Sequence, residues 1–144
     1  MSLALDLARS AAEAGEVPVG AVVVSGSGSV LGTGCNAPVS LMDPTGHAEI
    51  LALRRAAQTA GNYRLIHCTL YATMEPCIMC AGALLHARIR RLVYGAPDLR
   101  FGAVDSLHRL LYDPRLNHRV EVIAGVLEEE CRRVVQGFFE ARRR

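Results

Sequence analysis

Two short fragments gather the residues best suited to joint polar chemistry: Asp43-Pro44-Thr45-Gly46-His47-Ala48-Glu49 and Met74-Glu75-Pro76-Cys77-Ile78-Met79-Cys80. Together they offer one imidazole, two thiols and a carboxylate. Both precede stretches that read as helices, and a helix N-terminus carries unpaired N–H groups and about half a positive charge. Cys77 and Cys80 placed there should both have lowered pKa values and exist as thiolates, the form that binds metal. Three residues apart, they can share one helix face. Pro76 suits the entry, since its missing N–H would be unpaired anyway. His47, Cys77 and Cys80 make three metal ligands, one short of a closed tetrahedral site. Structural zinc normally takes four protein ligands, whereas catalytic zinc keeps the fourth place for water and lowers its pKa to about 7. Glu49 is the proton carrier in such a site. Residues at i and i+2 do not share a helix face, so His47 and Glu49 converge only if His47 stands at the lip of the helix.

A redox Cys-x-x-Cys is the first rival reading. It calls for a βαβ surrounding, whereas the strands that come before it here form a hairpin. A structural zinc site would need a fourth ligand, for which Cys68 and His86 are nearest. Cys68 falls in a strand and His86 two turns along the helix, so both read as packing or surface residues. His-x-Glu followed by Pro-Cys-x-x-Cys is far more specific than either half, and it favours catalytic zinc.

The elements that must position these groups follow from periodicity and punctuation. Residues 3–14 have helical spacing of Leu3 and Leu7 and a stop at Gly15. Gly20–Val24 and Val30–Gly34 read as strands of a hairpin turned by Ser25-Gly26-Ser27-Gly28-Ser29. His47–Ala60 is a helix ended by Gly61, Cys68–Thr73 a strand, and Cys77–Ala87 a helix. Arg91–Tyr94 and Val120–Ala124 are short strands, and Val126–Ala141 is a closing helix. Alternation of this kind predicts a sheet covered on both faces. The connection 95–119 is long enough for a crossover, so the last two strands can be parallel.

At 144 residues the chain has the length of one domain, and it should bury roughly 70% of its unfolded surface without a staple. No apolar run approaches the ~20 residues of a membrane helix. Met1-Ser2-Leu3-Ala4-Leu5-Asp6 has no basic leader, so a cytoplasmic location is expected. The odd cysteine count, five, fits reduced thiols better than a disulfide framework. Net charge is only +2, which by itself does not announce a nucleic-acid binder. All the basic residues are Arg, including Arg142-Arg143-Arg144 at the end. Codon bias and a solvated helix end explain these features, and Arg also suits phosphate and base stacking.

The joint pattern resembles that of the zinc-dependent nucleobase deaminases. The resemblance extends to Glu16-Val17-Pro18-Val19-Gly20 through Val24, Asn36, Asp43 to Ile50, Asn62-Tyr63-Arg64-Leu65-Ile66 and Thr69 through Ala83. It continues in Asn117-His118-Arg119-Val120-Glu121 and Phe138-Phe139. Over about Ala4 to Arg144 the chain is similar to the bacterial tRNA-specific adenosine deaminases of the cytidine/deoxycytidylate deaminase-like superfamily. This implies a single zinc-dependent deaminase domain over 1–144, of α/β class, a three-layer αβα cytidine-deaminase-like fold with a central five-stranded mixed sheet. It implies a homodimer that converts the anticodon wobble adenosine of a tRNA, an arginine tRNA foremost, to inosine and ammonia. The same resemblance makes His47, Cys77 and Cys80 the ligands of one Zn2+ per subunit, and Glu49 the catalytic proton shuttle. Asn36 would hydrogen-bond the flipped base, Asp98 would lie near a neighbouring sugar, and Phe138 near the anticodon. Read without the family, Asn36 and Pro97-Asp98 are turn residues, and Phe138 and Phe139 belong to the core. Pro97, Leu99, Phe101 and Gly46 depart from the family pattern. Two other readings share the zinc site: a deaminase of a free base or nucleoside of the guanine or cytosine type, and a non-catalytic partner subunit. Such subunits typically lack the Glu that is present here as Glu49.

Overall fold

The structure is a computed structural model that describes residues 1–144. Its elements run α1 (Ser2–Glu13), β1 (Gly20–Val24), β2 (Val30–Cys35), α2 (Pro38–Leu41), α3 (Ala48–Ala60), β3 (Thr69–Met74), α4 (Ile78–His86), β4 (Arg91–Ala96), β5 (Glu121–Ala124) and α5 (Glu128–Arg142). A single 3-10 turn, Leu110–Tyr112, interrupts the long connection before β5. The expected strands and helices are all present within a residue or two. The 3-10 turn lies in the connection for which a loop or short helix was expected; the short α2 was not anticipated, being too short to carry a period.

The strands form one five-stranded sheet in the order β2-β1-β3-β4-β5. β1 is antiparallel to β2 and β3, while β3–β4 and β4–β5 are parallel. The sheet is mixed, and the crossover expected of the long connection is there. β1 and β4 are nearly continuous apolar runs because they lie inside the sheet with both faces covered. β5, at the edge, leaves most of its side chains exposed. α1 and α5 touch each other and one face; α3 lies on the other, and α4 packs beside it, with Ala81 and Leu84 in the core under that face. The main core lies under α3 and α4 around Val23, Leu70, Leu84, Ile89 and Leu92. No helix is long and apolar enough to cross a membrane.

α3 sits unusually close to the sheet. Ala48, Ala52 and Ala56, spaced four apart along one stripe, are fully buried against Gly32 and Gly34 of β2. A methyl at Gly34 would stand 2.3 Å from the Ala48 carbonyl oxygen and 2.8 Å from the Ala52 nitrogen, both backbone atoms that cannot swing aside. Only glycine there lets the helix backbone touch the strand, and this seating sets where the helix begins. Gly34→Ala should therefore lift the N-terminus of α3, costing about 1–3 kcal/mol and lowering Tm by roughly 3–12 °C. Thermal denaturation checks this; an unchanged Tm would show that the helix is not seated on that strand.

Candidate metal centre and active site

His47 and Cys77 are not inside their helices but at the N-caps of α3 and α4, in extended backbone conformations. The backbone turns at these positions, so each side chain leaves the helix sideways. His47 thus stands at the lip of its helix, the condition required for it to converge with Glu49. The turn that delivers it is tied by hydrogen bonds. The Asp43 carboxylate accepts the Thr45 N–H at 2.8 Å and hydroxyl at 2.7 Å, and the His47 N–H donates to the Thr45 carbonyl at 2.8 Å. Those Thr45 bonds, aided by Arg54, hold the Asp43 carboxyl below the usual carboxylate range. Gly46 is packed to suit: a methyl would meet the Asp43 carbonyl oxygen at 3.1 Å.

The His47 Nδ1 lies 3.5 Å from the Cys77 Sγ and 3.6 Å from the Cys80 Sγ. In a tetrahedral zinc site with Zn–S of about 2.3 Å and Zn–N of about 2.05 Å, that separation should be about 3.6 Å. The three donors fit. No other His, Cys, Asp or Glu joins the cluster; Cys68 is buried and His86 exposed, as expected of packing and surface residues.

Glu49 is 4% exposed, and its carboxyl feels His47, Cys77 and Cys80, so it faces the cluster. Burial pushes it up to about 7, against the pull of His47. The two thiols do not behave alike. Cys77 falls to about 4 because Cys80 hydrogen-bonds its sulfur and His47 adds to the effect. Cys80 rises, as the partner that keeps its proton beside that thiolate, in a buried place near Glu49. The expectation of two lowered thiols is corrected here. One negative sulfur discourages a second in contact with it unless a cation joins them.

Two buried acids that sequence reading passed over tie the surrounding segments together. Glu75, 2% exposed, accepts the backbone N–H groups of Asp98, Val104, Asp105 and Ser106, and the Ser106 hydroxyl. Burial alone would raise its pKa; these bonds outweigh burial and lower it. Gly102 pairs with Cys77 in a β-bridge, and any side chain at Gly102 would strike Glu75. Glu16 similarly accepts the Ser40 N–H at 2.6 Å and hydroxyl at 2.8 Å, plus the Val39 N–H, at the start of α2. The only signal for either was an acid standing next to apolar residues and a nearby proline.

Asn36 is buried, and its amide makes no hydrogen bond within the chain; only its backbone N–H is engaged, by the Val19 carbonyl. Asp98 is half-buried, and its carboxylate accepts the N–H groups of Arg100 and Phe101, a turn role. Phe138 lies in a shallow cleft with Ala12, Glu13, Ala141 and Arg142. The Arg142 guanidinium stands 4.1 Å over its ring. This cleft is on the sheet face opposite α3 and α4, so the structure does not bring Phe138 to the metal cluster. Nor are Phe138 and Phe139 core residues: the first is half-buried and the second 43% exposed, because α5 packs through Cys131 and Val134.

Residues 1–143 match the MafB19-like deaminase family. The chain belongs to that family. It is 50% identical over 99% of its length, and 83% of the relative's, to a tRNA-specific adenosine deaminase of Haemophilus influenzae. To the tRNA-specific adenosine deaminase of Streptococcus pyogenes serotype M1 it is 43% identical over 96% of its length and 81% of the relative's. Among solved structures, one from work on A-to-I editing by tRNA:A34 deaminases superposes with a TM-score of 0.89 at 46% identity, covering 93% of this chain and 96% of the other. A guanine deaminase from Nitrosomonas europaea has a TM-score of 0.83 at 25% identity, covering 95% and 81%. The deaminase fold expected from the sequence, with its mixed five-stranded sheet between helical layers, is the fold observed.

In this deaminase the pKa of Glu16 is lowered from 4.5 in the fold, despite burial, by its bonds to Ser40 and Val39. A lowered carboxyl stabilises the fold fully above its unfolded pKa, and that contribution disappears as pH falls through the folded value. Glu16→Gln should thus melt a few degrees below the wild type at pH 7, with the gap closing below about pH 4. Thermal melts from about pH 3 to 7 check this; a gap independent of pH would mean that the charge is not what matters.

Proposed function

We propose that this protein is a zinc-dependent tRNA adenosine deaminase that converts the anticodon wobble adenosine to inosine, as a single domain over residues 1–144. What carries the reading is the meeting of the His47 imidazole, the Cys77 and Cys80 sulfurs and the buried Glu49 carboxyl. The chain in which they meet is half identical, nearly end to end, to a tRNA-specific adenosine deaminase. His47, Cys77 and Cys80 would hold the zinc. When bound, it supplies Lewis-acid activation of water at neutral pH.

Glu49 carries the protons. It takes one from the attacking water and delivers it to N1 of adenine as the new C6–O bond forms. It then passes the second proton to the exocyclic nitrogen, the C6–N bond breaks, and ammonia leaves with inosine behind. Burial raises the Glu49 carboxyl above the ordinary carboxylate range in the metal-free chain, which favours a group that must both accept and donate at each turnover. Asn36, buried with an unengaged amide, is suited to hydrogen-bond the flipped base. Asp98 would approach a neighbouring ribose, where a 2′-OH distinguishes RNA from DNA. Phe138 would meet the anticodon only if the substrate wraps to the α1–α5 cleft. The same reading implies a cytoplasmic homodimer acting on an arginine tRNA.

A free-base deaminase is the second reading, favoured by the likeness to the guanine deaminase. A free base calls for an enclosed pocket, whereas the segments flanking this site expose Val39, Met42, Leu99 and Phe101. Inosine formed in an anticodon stem-loop, against ammonia released from guanine or cytosine, separates the two. Glu49→Ala should keep about one zinc per chain while turnover on the stem-loop falls by at least ~10²–10⁴-fold; near-normal turnover would remove Glu49 from the mechanism. Chelation should abolish inosine formation in the wild type and added zinc restore it, read by metal analysis beside the assay.

A further inference from the structure

The loop that leaves β4 runs past the start of α4, where Gly102 bridges to Cys77. It is held stiffly from inside. Glu75 gathers four of its backbone N–H groups and the Ser106 hydroxyl. The Asp98 carboxylate fixes the N–H groups of Arg100 at 3.0 Å and Phe101 at 3.1 Å, and the Asp98 carbonyl accepts the Gly102 N–H at 2.9 Å. Carboxylate bonds of this kind are about twice as strong as neutral ones. The backbone on both sides of Phe101 is therefore committed, and the ring has no freedom to fold away with it. That ring is nevertheless 69% exposed, and Leu99 beside it 76%. Between them Arg100 bonds to the chain only through its backbone N–H, leaving the guanidinium free.

An unpaired cation next to an exposed aromatic face, on a stiff support, is the combination by which proteins hold single-stranded nucleic acid. The cation meets phosphate and the ring stacks on a base, whatever its identity. Phe101 is one residue from the partner of Cys77, so a base stacked on it would be a neighbour of the one entering the site. We propose that Phe101 is a stacking platform for the nucleobase adjoining the target adenosine, with Arg100 meeting the phosphate between them. This rests on the RNA reading above. A second copy of the chain would instead ask for an apolar patch with charge depleted at its centre, and here an unpaired arginine sits in the middle.

The test uses an anticodon stem-loop RNA with adenosine at the wobble position. Its affinity is measured by fluorescence anisotropy in a Glu49→Ala background, and its KM and kcat in the otherwise wild-type chain. Phe101→Ala and Phe101→Leu should weaken binding and raise KM roughly tenfold to a hundredfold, with kcat, zinc content and Tm nearly unchanged. Phe101→Trp should stay within about threefold of wild type, since it retains a face for stacking. An abasic nucleotide on one side of the adenosine should weaken the wild type by a similar factor and leave Phe101→Ala unaffected. The proposal is overturned if Phe101→Ala binds like the wild type, or if Phe101→Leu does, since a greasy contact would then suffice. It is equally overturned if Phe101→Ala changes the oligomeric state in light scattering, which would assign the ring to a contact between copies. A wild type that neither binds nor deaminates the stem-loop would bring down the RNA reading itself, together with this inference; a working wild type indifferent to Phe101 would bring down this inference alone.

Discussion

His47 and the two cysteines come from different helices, and they can share an ion only if α3 and α4 begin at the same place. The backbone of α3 lies directly on β2 through Gly32, Gly34 and the stripe Ala48, Ala52, Ala56. That contact has almost no adjustable part. Side-chain layers give by rotamer changes, but a carbonyl against a Cα gives only by moving the helix. The position of the α3 N-terminus, and hence of His47 and Glu49, is inherited from the strand. α4 is placed in turn by β3, whose last residue, Met74, is followed at once by Glu75, Pro76 and Cys77. Strands that pair in register through Ala21 and Ala72 thus hold two helix starts at a fixed separation.

The buried acids extend the same precision to irregular backbone. Loops carry few apolar contacts with which to fix themselves, and their N–H groups need partners. Glu75 answers for four such groups and Glu16 for two. Each acid is joined to a segment that matters to the site: Glu75 to the loop beside Cys77, Glu16 to α2 after Asn36. An ionised carboxylate is expensive to bury, but one that accepts several N–H bonds recovers that cost and stays charged. Removing either acid would strand donors that have no other partner, so each tie both shapes its segment and stabilises the fold.

Much of this was legible in the sequence because it rests on local rules. Period and punctuation placed every strand and long helix, and Gly61 and Pro76 marked a stop and a start. The gathering of His47, Cys77 and Cys80 was legible because their types and spacing suit a shared ion. What escaped was what depends on distant partners. The doubt whether His47 and Glu49 could converge at i and i+2 was resolved only by the extended N-cap conformation of His47. The unequal thiols follow from contact between Cys77 and Cys80, which spacing allows but does not require. Glu75 looked like any acid before a proline, since its partners, Asp98, Val104, Asp105 and Ser106, lie more than twenty residues on. Phe138 and Phe139 looked like core because aromatic residues usually are; the apolar face of α5 turned out to be Cys131 and Val134.

The likeness to a guanine deaminase at 25% identity shows how little the fold decides about substrate. Both the sheet and the helix starts are compatible with a free base or with a base presented on a strand of RNA. The segments of this chain that stand apart from the sheet and the two helix starts are the short α2 and the loop after β4. In this chain those segments combine a fixed backbone with exposed side chains: Glu16 and Glu75 anchor them from below, while Val39, Met42, Leu99 and Phe101 remain in solvent. Evolution could alter such side chains without disturbing the ligands, because the anchors bind main chain and are indifferent to what projects outward. Pro97, Leu99 and Phe101 lie on that anchored loop, apart from the cluster of His47, Cys77 and Cys80, so side chains there can vary without moving the three donors.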